Sequence, residues 1–284
     1  EKVNEKNRRA FMKIFGRSLI LLVLFCGFAR TVVAEGGLSV EPVFQEVSFG
    51  SEEGEKSFEV TLTNSTEQAL VLHPTVSAFG SLDESGGVAF LGASQNLEKK
   101  YSLAYFMRPE IDRVTLEPGE RKTIRVRIEN HQSLSPGGHY GAVLFRLGDD
   151  AMFDENKVAV QQLISVLVFV KKEGGEVYAL NLKDMTWPQN PLVLPRQANI
   201  RFSNSGNVHV TPRGILAVTD FLGRTVAQTS INPESSLILP ETERVYVSQL
   251  ESMAPLFLPG WYTLSLRYRY DGKESFVGEE QTFF

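Results

Sequence analysis

The sequence predicts an all-β protein built as two tandem immunoglobulin-like antiparallel β-sandwiches after an N-terminal signal peptide. Three observations carry that expectation: apolar residues recur with period two, turn signals fall about every 8–12 residues between the alternating runs, and one strand–turn plan occurs twice. At 284 residues, with 42% apolar and 22% charged residues, the chain has room for two medium units, each able to bury its own core.

The alternation is clearest in three places. Phe58, Val60 and Leu62 alternate with Glu59, Thr61 and Thr63 and stop at Asn64-Ser65. Ile124, Val126 and Ile128 alternate with Thr123, Arg125, Arg127 and Glu129, and Tyr262, Leu264, Leu266, Tyr268 and Tyr270 with Thr263, Ser265, Arg267 and Arg269. One dry and one wet face is the pattern of antiparallel sheet. Leu163 to Val170 is an apolar run, broken only by Ser165, that ends at Lys171-Lys172, which fits a strand covered on both faces or one at a sandwich centre. Pro118-Gly119, Pro136-Gly137-Gly138, Phe221-Leu222-Gly223 and Pro259-Gly260 punctuate the rest. Asp271-Gly272 reads as a two-residue hairpin with a type I′ turn. The regular spacing of short strands points to sandwiches.

The repeat pairs Ser57 to Asn64-Ser65 with Ala198 to Asn204-Ser205, Leu116 to Arg121 with Leu239 to Arg244, and Leu134 to Tyr140 with Leu258 to Tyr262. The first pair is offset by 140 residues and the others by about 122, so the first copy holds a surplus, assigned to the Gly-, Ser- and acid-rich segment 80–100. The expectation is two seven-stranded sandwiches, residues 35–174 and 175–284, with Tyr140 and Tyr262 at equivalent inward positions.

Residues 1–34 are of a different kind. Seven basic residues against two acids give them +5, so the chain's net −5 leaves −10 for the remainder. A basic start, the apolar run from Leu19 to Ala29 and the small-x-small exit Val32-Val33-Ala34 read as a secretory signal, with cleavage between Ala34 and Glu35. The run is shorter than the roughly 20 residues of a membrane-spanning helix. Met12 opens a signal of ordinary proportions and is the expected start. Cys26 lies within the apolar run and leaves with the signal, so the mature chain holds no thiol. An exported, acidic chain held together by packing implies a cell-surface, cell-wall or periplasmic location.

The same charge balance removes the electrostatic basis for nucleic-acid binding. His73, His131, His139 and His209 show no metal-ligand spacing, and no serine lies in a Gly-x-Ser-x-Gly setting. No catalytic residue, cofactor or metal site is expected. Asp149, Asp150, Asp154 and Glu155 crowd one loop without a calcium-loop spacing. Asn64-Ser65-Thr66 fits a glycosylation sequon but reads more simply as a strand-end turn. Arg125 with Arg127, and Arg267 with Arg269, share a strand face that either meets anionic wall polymers or guards a sheet edge. Trp261 and Tyr262 read as core. The expected partner surface is the loop segment 80–100 with Phe90, Leu91 and Tyr101, together with Trp187 at the junction of the two units.

The string Ser102-Leu-Ala-Tyr-Phe, then Val114-Thr-Leu-Glu-Pro-Gly-Glu-Arg-Lys-Thr-Ile-Arg-Val-Arg-Ile, then Gly138-His-Tyr-Gly-Ala-Val-Leu-Phe resembles the N-terminal part of WxL-interacting cell-surface proteins. The second half, with its Asn-Ser strand and Leu-Pro-Gly-x-Tyr-Thr strand, is similar to that family's second immunoglobulin-like unit. The resemblance spans roughly residues 38–284. It implies a non-enzymatic envelope protein that binds cell-wall polymer or exported proteins, with the membrane involved only through the signal or a C-terminal anchor missing from this sequence. A more distant likeness is to periplasmic pilus chaperones, which implies that the run Ile164 to Val170 is lent as a strand to a subunit. The basic anchor pair of that family is not found at matching places.

Overall fold

The computed structural model describes residues 37–50, 52–90, 99–148, 163–188, 194–253 and 259–284. Among them are nineteen strands and two short 3-10 turns, Lys99–Tyr101 and Ala104–Phe106. No helix of the described residues is long and apolar enough to cross a membrane. The expected signal segment, with Ala34 and Glu35, lies outside the described residues, as do Leu91 and the acidic loop Asp149 to Glu155.

Residues 38–172 form two facing sheets. One has the order β1 (Leu38–Glu41), β3 (Glu55–Asn64), β9 (Arg121–Glu129), β7 (Met107–Pro109). The other runs β2 (Phe44–Phe49), β11 (Leu163–Lys172), β10 (Gly137–Leu147), β4 (Leu70–Ser77), β8 (Val114–Leu116). A small hairpin, β5 (Phe79–Ser81) and β6 (Val88–Phe90), stands apart from both. Strand pairing is antiparallel except between β2 and β11, which run parallel. Phe58, Val60 and Leu62 of β3 meet Val143 and Phe145 of β10 and Val166, Val168 and Val170 of β11 in one core. The alternating residues thus bury the faces the period-two pattern assigned to them.

Residues 180–283 repeat the layering. β12 (Leu180–Thr186), β13 (Gln197–Asn204) and β16 (Glu243–Gln249) face β17 (Glu251–Ser252), β15 (Thr225–Ile231), β14 (Arg213–Asp220), β18 (Tyr262–Tyr270) and β19 (Lys273–Phe283). Their core joins Ile200 and Phe202 to Leu216, Val218, Leu264 and Leu266. Among the described residues the first pair of sheets therefore holds nine strands and the second eight, where seven each were expected. The excess comes from the chain changing sheets at the start, β1 to β2, and from short strands such as β7, β8 and β17 that patch sheet margins. The β5–β6 hairpin accounts for part of the first copy's surplus.

The repeated Asn has one job in both copies. Asn64 closes β3 with its amide donating to the carbonyls of Gln68 (2.8 Å) and Leu116 (3.1 Å) and its Oδ1 accepting the N–H of Thr66 (2.9 Å). Asn204 closes β13 by donating to Val208 (2.7 Å) and Ile238 (3.0 Å) and accepting from Gly206 (2.9 Å). Both side chains are fully buried, so the Asn-Ser echo marks a buried polar staple at a strand end. It also makes the Asn64 sequon unreachable for modification.

Three local expectations are corrected. The Asp271-Gly272 hairpin is present, but only Gly272 takes a positive φ (78°) and a bulge lies between Tyr268 and Tyr270. Asp271 instead turns its carboxylate to the N–H of Thr211 at 2.7 Å. Trp261 is 60% exposed and lies edge-on to Phe284, because alternation along β18 buries Tyr262 and turns its neighbour out. Arg125, Arg127, Arg267 and Arg269 sit on β9 and β18, which have neighbours on both sides, so they guard no edge. They face solvent beside Glu59, Glu110 and the ring of Phe276.

Candidate functional site

The chain changes from the first pair of sheets to the second at residues 173–179, and both pairs belong to one compact unit, Leu38–Phe284. A third apolar cluster lies between them. It is made by side chains on the outer face of the β2–β11–β10 sheet, since residues 140, 142 and 169 alternate with the core-facing Val143, Val168 and Val170. Phe79, Tyr140 and Phe169 meet edge to face with ring centroids 5.4–6.1 Å apart, joined by Tyr101, Ala142 and Leu239. Such pairs favour this tilted packing because ring edges are positive and faces negative. The expectation that Leu163 to Val170 is covered on both faces holds at Phe169 and Val170, one facing this cluster and the other the first core.

Tyr140 is the polar centre of the cluster and differs from Tyr262, which faces the second core. Its hydroxyl accepts the backbone N–H of His209 at 2.9 Å and lies 3.3 Å from His209 Nδ1. His209 Nε2 stands 3.6 Å from Glu46 Oε1 on β2. Burial pushes the Tyr140 phenol well above its ordinary range, so it serves as a neutral hydrogen-bonding group. The neighbouring His209 ring holds the Glu46 carboxyl below its ordinary value, against the opposing effect of burial. Close by, Gly138 N–H donates to Asn207 O at 2.8 Å.

The β5–β6 hairpin reaches across the junction. Val245 N–H of β16 donates to Glu84 O at 2.8 Å, and the Glu84 carboxylate meets Arg201 at 3.0 Å. Gly86, at φ 93°, lies so close to the Arg244 guanidinium that a Cβ there would overlap it. Lys100 Nζ and the Tyr101 hydroxyl both reach Glu241 Oε1, at 2.6 and 2.9 Å. The segment read as a free partner-binding loop is, in its described part, a clasp on the second pair of sheets.

Between the hairpin, β2, β11 and the 235–244 segment lies an open cavity of about 320 Å³. Phe44, Phe79, Val88, Leu167, Phe169 and Leu237 give it apolar walls. Its rim includes Phe44, which is 59% exposed.

Beside the cavity one sheet edge is open. β2 pairs with β11 only from Leu167 to Lys172, where Leu167 N–H donates to Val43 O at 3.0 Å. Among the described residues, no strand pairs with Leu163–Val166 on that side. Because N–H groups of alternate residues point the same way along a strand, Leu163 and Ser165 offer their N–H and C=O groups to this edge. Leu163 is 47% exposed. An edge of this kind is a template for an added strand.

The structure sorts the residues singled out from sequence. Phe90 is half-buried in β6 against the junction cluster, and Tyr101 is buried there with its hydroxyl engaged, so neither is a free contact. Trp187 packs against Phe283, centroids 5.4 Å apart, beside the second core and not at the junction. Val43, Phe44 and Leu163, which lie at the cavity or the unpaired edge, were not singled out because apolar residues in a strand read as core, whereas Leu167 lies in the run Ile164 to Val170 read as a strand that could be lent. Their one sequence signal was the long apolar run beginning at Leu163. Among the described residues no group of three or more His, Cys, Asp or Glu is placed to hold a metal ion.

No protein-family model and no curated protein sequence matches this chain. Solved structures similar to it include a chaperone–tip adhesin complex of CFA/I fimbriae, at 13% identity and TM-score 0.45, covering 87% of this chain and 98% of that one. The class 5 fimbriae chaperone CfaA is similar at 12% identity and TM-score 0.44, covering 86% and 99%. The E. coli chaperone DraB is similar at 9% identity and TM-score 0.37, covering 87% and 98%.

Proposed function

We propose that this chain is an exported binding protein that holds an extended segment of another exported protein by pairing it with the open edge of β11. The observation that carries this reading is the pair of residues Leu163 and Ser165, without a strand partner on that edge among the described residues, beside an apolar cavity. Main-chain hydrogen bonds to an edge supply affinity without a sequence requirement, and neighbouring pockets supply selectivity. Export rests on the basic, apolar and small-residue succession of residues 1–34.

A cell-wall polymer is the less favoured partner. Sugar chains need converging polar groups, whereas this cavity is mainly apolar, with Ser, Thr, Glu243 and Arg244 only a minor part of its wall. The Arg125 and Arg127 face, the other candidate for anionic polymer, already stands 3.6 Å from the carboxylates of Glu59 and Glu110.

Capture of exported proteins by the tagged chain tests the reading. Ser165→Pro removes an edge donor while leaving the β10 ladder intact, and is expected to abolish capture. Arg125→Ala with Arg127→Ala is expected to leave it unchanged. Capture that survives Ser165→Pro but fails in the arginine variant would refute the proposal. Val166→Asp and Val168→Asp are unsuitable probes, since both valines are fully buried in the first core.

A further inference from the structure

We propose that the junction cavity seats one bulky apolar side chain of the extended segment held on the β11 edge; this rests on the strand-pairing reading above. The edge and the cavity lie on one face of one strand. Leu163, Ser165, Leu167 and Phe169 alternate with the core-facing Ile164, Val166, Val168 and Val170, and the last two of the outer set line the cavity. At about 3.3 Å per residue, the open edge ends within about 7 Å of the cavity wall.

The path of an added strand is constrained. Beside Leu163–Val166 it meets a stretch with no strand partner among the described residues, with β1 close by, but at Leu167 the position is taken, because Leu167 N–H already donates to Val43 O. The strand must leave the sheet there. Its inner side is closed by the first core, so it departs over the outer face, past exposed Phe44, and the cavity is what it meets.

The wall chemistry selects the occupant. Ser236 is fully engaged: its N–H and hydroxyl donate to Asn232 Oδ1 (2.8 and 2.7 Å), and its carbonyl accepts from Asn232 and Tyr246 (2.7 and 3.0 Å). Arg244 donates to Leu237 O at 2.9 Å and lies over the Tyr246 ring. Thr242 and Ser81 donate their hydroxyls to Leu239 O and Asp83 O, so most of the remaining contact is with Phe44, Phe79, Leu167, Phe169, Val88 and Leu237, and that favours a leucine- or phenylalanine-like group.

The test uses a blocked ten-residue peptide of alternating threonine and valine, with each valine in turn replaced by alanine, leucine, phenylalanine or aspartate, titrated calorimetrically into the purified protein. At one position leucine and phenylalanine are expected to bind roughly tenfold or more tighter than alanine, with aspartate the weakest. Leu237→Trp, and separately Val88→Trp, fill the cavity and are expected to erase that preference, so that the alanine, leucine and phenylalanine peptides bind alike. Ser165→Pro is expected to abolish binding of every peptide. Parent binding that depends on Ser165 but shows no size-sensitive position overturns the cavity assignment and leaves the edge reading intact. A preference that survives both tryptophan variants also overturns it. No binding of any peptide, or binding indifferent to Ser165→Pro, overturns the edge reading and this inference with it. Octanoate filling the cavity without affecting the peptide, or a dimer dissolved by Leu237→Trp, assigns the cavity to a free amphiphile or a second copy instead.

Discussion

The hydroxyl of Tyr140 on β10 accepts the backbone N–H of His209 at 2.9 Å, tying the outer face of the first pair of sheets to the start of the second. His209 in turn faces Glu46 on β2 and lies edge-on to Phe169 on β11. The strand with the open edge and the strand that ends that edge are thus braced by one residue pair.

Tyr140→Phe leaves the His209 N–H without its acceptor inside an aromatic cluster. An unpaired buried donor costs about 1–3 kcal/mol. Urea unfolding is expected to show that loss with little change in the denaturant slope, since the rings still pack. A stability within error of the parent would show that water replaces the phenol.

The twin asparagines predict twin defects. Asn64→Ala and Asn204→Ala each strand two or more buried carbonyls and an N–H, for about 2–4 kcal/mol apiece. Asn→Asp fails as well, because the missing group is the amide donor. Thermal unfolding of the four variants should rank them together; a tolerated change at one site would break the structural equivalence of the two strand ends.

Acid sensitivity has two windows. Burial, working against a hydrogen bond from its Nε2 to Ser135 O, lowers the pKa of His139 from its ordinary 6.5. The unfolded chain therefore takes up that proton first, and stability falls as pH drops from about 6.5 toward the folded value. Glu46, lowered chiefly by the neighbouring His209, adds a second loss below its ordinary 4.5, where the unfolded carboxyl protonates before the folded one. Stability against pH is expected to lose the upper slope in His139→Gln and the lower one in Glu46→Gln. Profiles that superimpose on the parent would contradict both assignments.

The clasp makes a local prediction. Gly86→Ala combines a left-handed φ of 93° with overlap on Arg244, so the hairpin is expected to lift. Hydrogen exchange at the Val245 amide, bonded to Glu84 O, should accelerate at least about tenfold while the β13 amides stay protected. Unchanged exchange at Val245 would mean the hairpin docks without that bond.

Strands with one wet face were legible in the sequence because solvent writes the second half of the pattern: Glu59 and Thr61 identify Phe58 and Val60 as buried. The junction was not legible for the converse reason. Tyr140 reads as facing inward like Tyr262 and Phe169 as covered on both faces, but nothing local shows that Tyr140, Ala142 and Phe169 pack on the outer face of the first sheets against the second pair. Trp261 shows the opposite error, an aromatic assumed buried that stands exposed at a turn. The hairpin read as a binding loop from its Gly, Ser and acids, yet Glu84 and Gly86 are spent on Arg201 and Arg244, partners more than a hundred positions away that no local pattern marks. The open edge is set by where β2 stops, at Phe44, which pairing geometry alone decides.

Hydrogen exchange at the amides of Leu163 and Ser165, with and without the alternating threonine–valine peptide, tests the central claim most directly. The account predicts fast exchange at both in the free chain, with Ile164 and Val166 protected by β10, and slowing of both edge amides on saturation with peptide. Protection of Leu163 and Ser165 before any peptide is added, or fast exchange that persists at saturation, would contradict it.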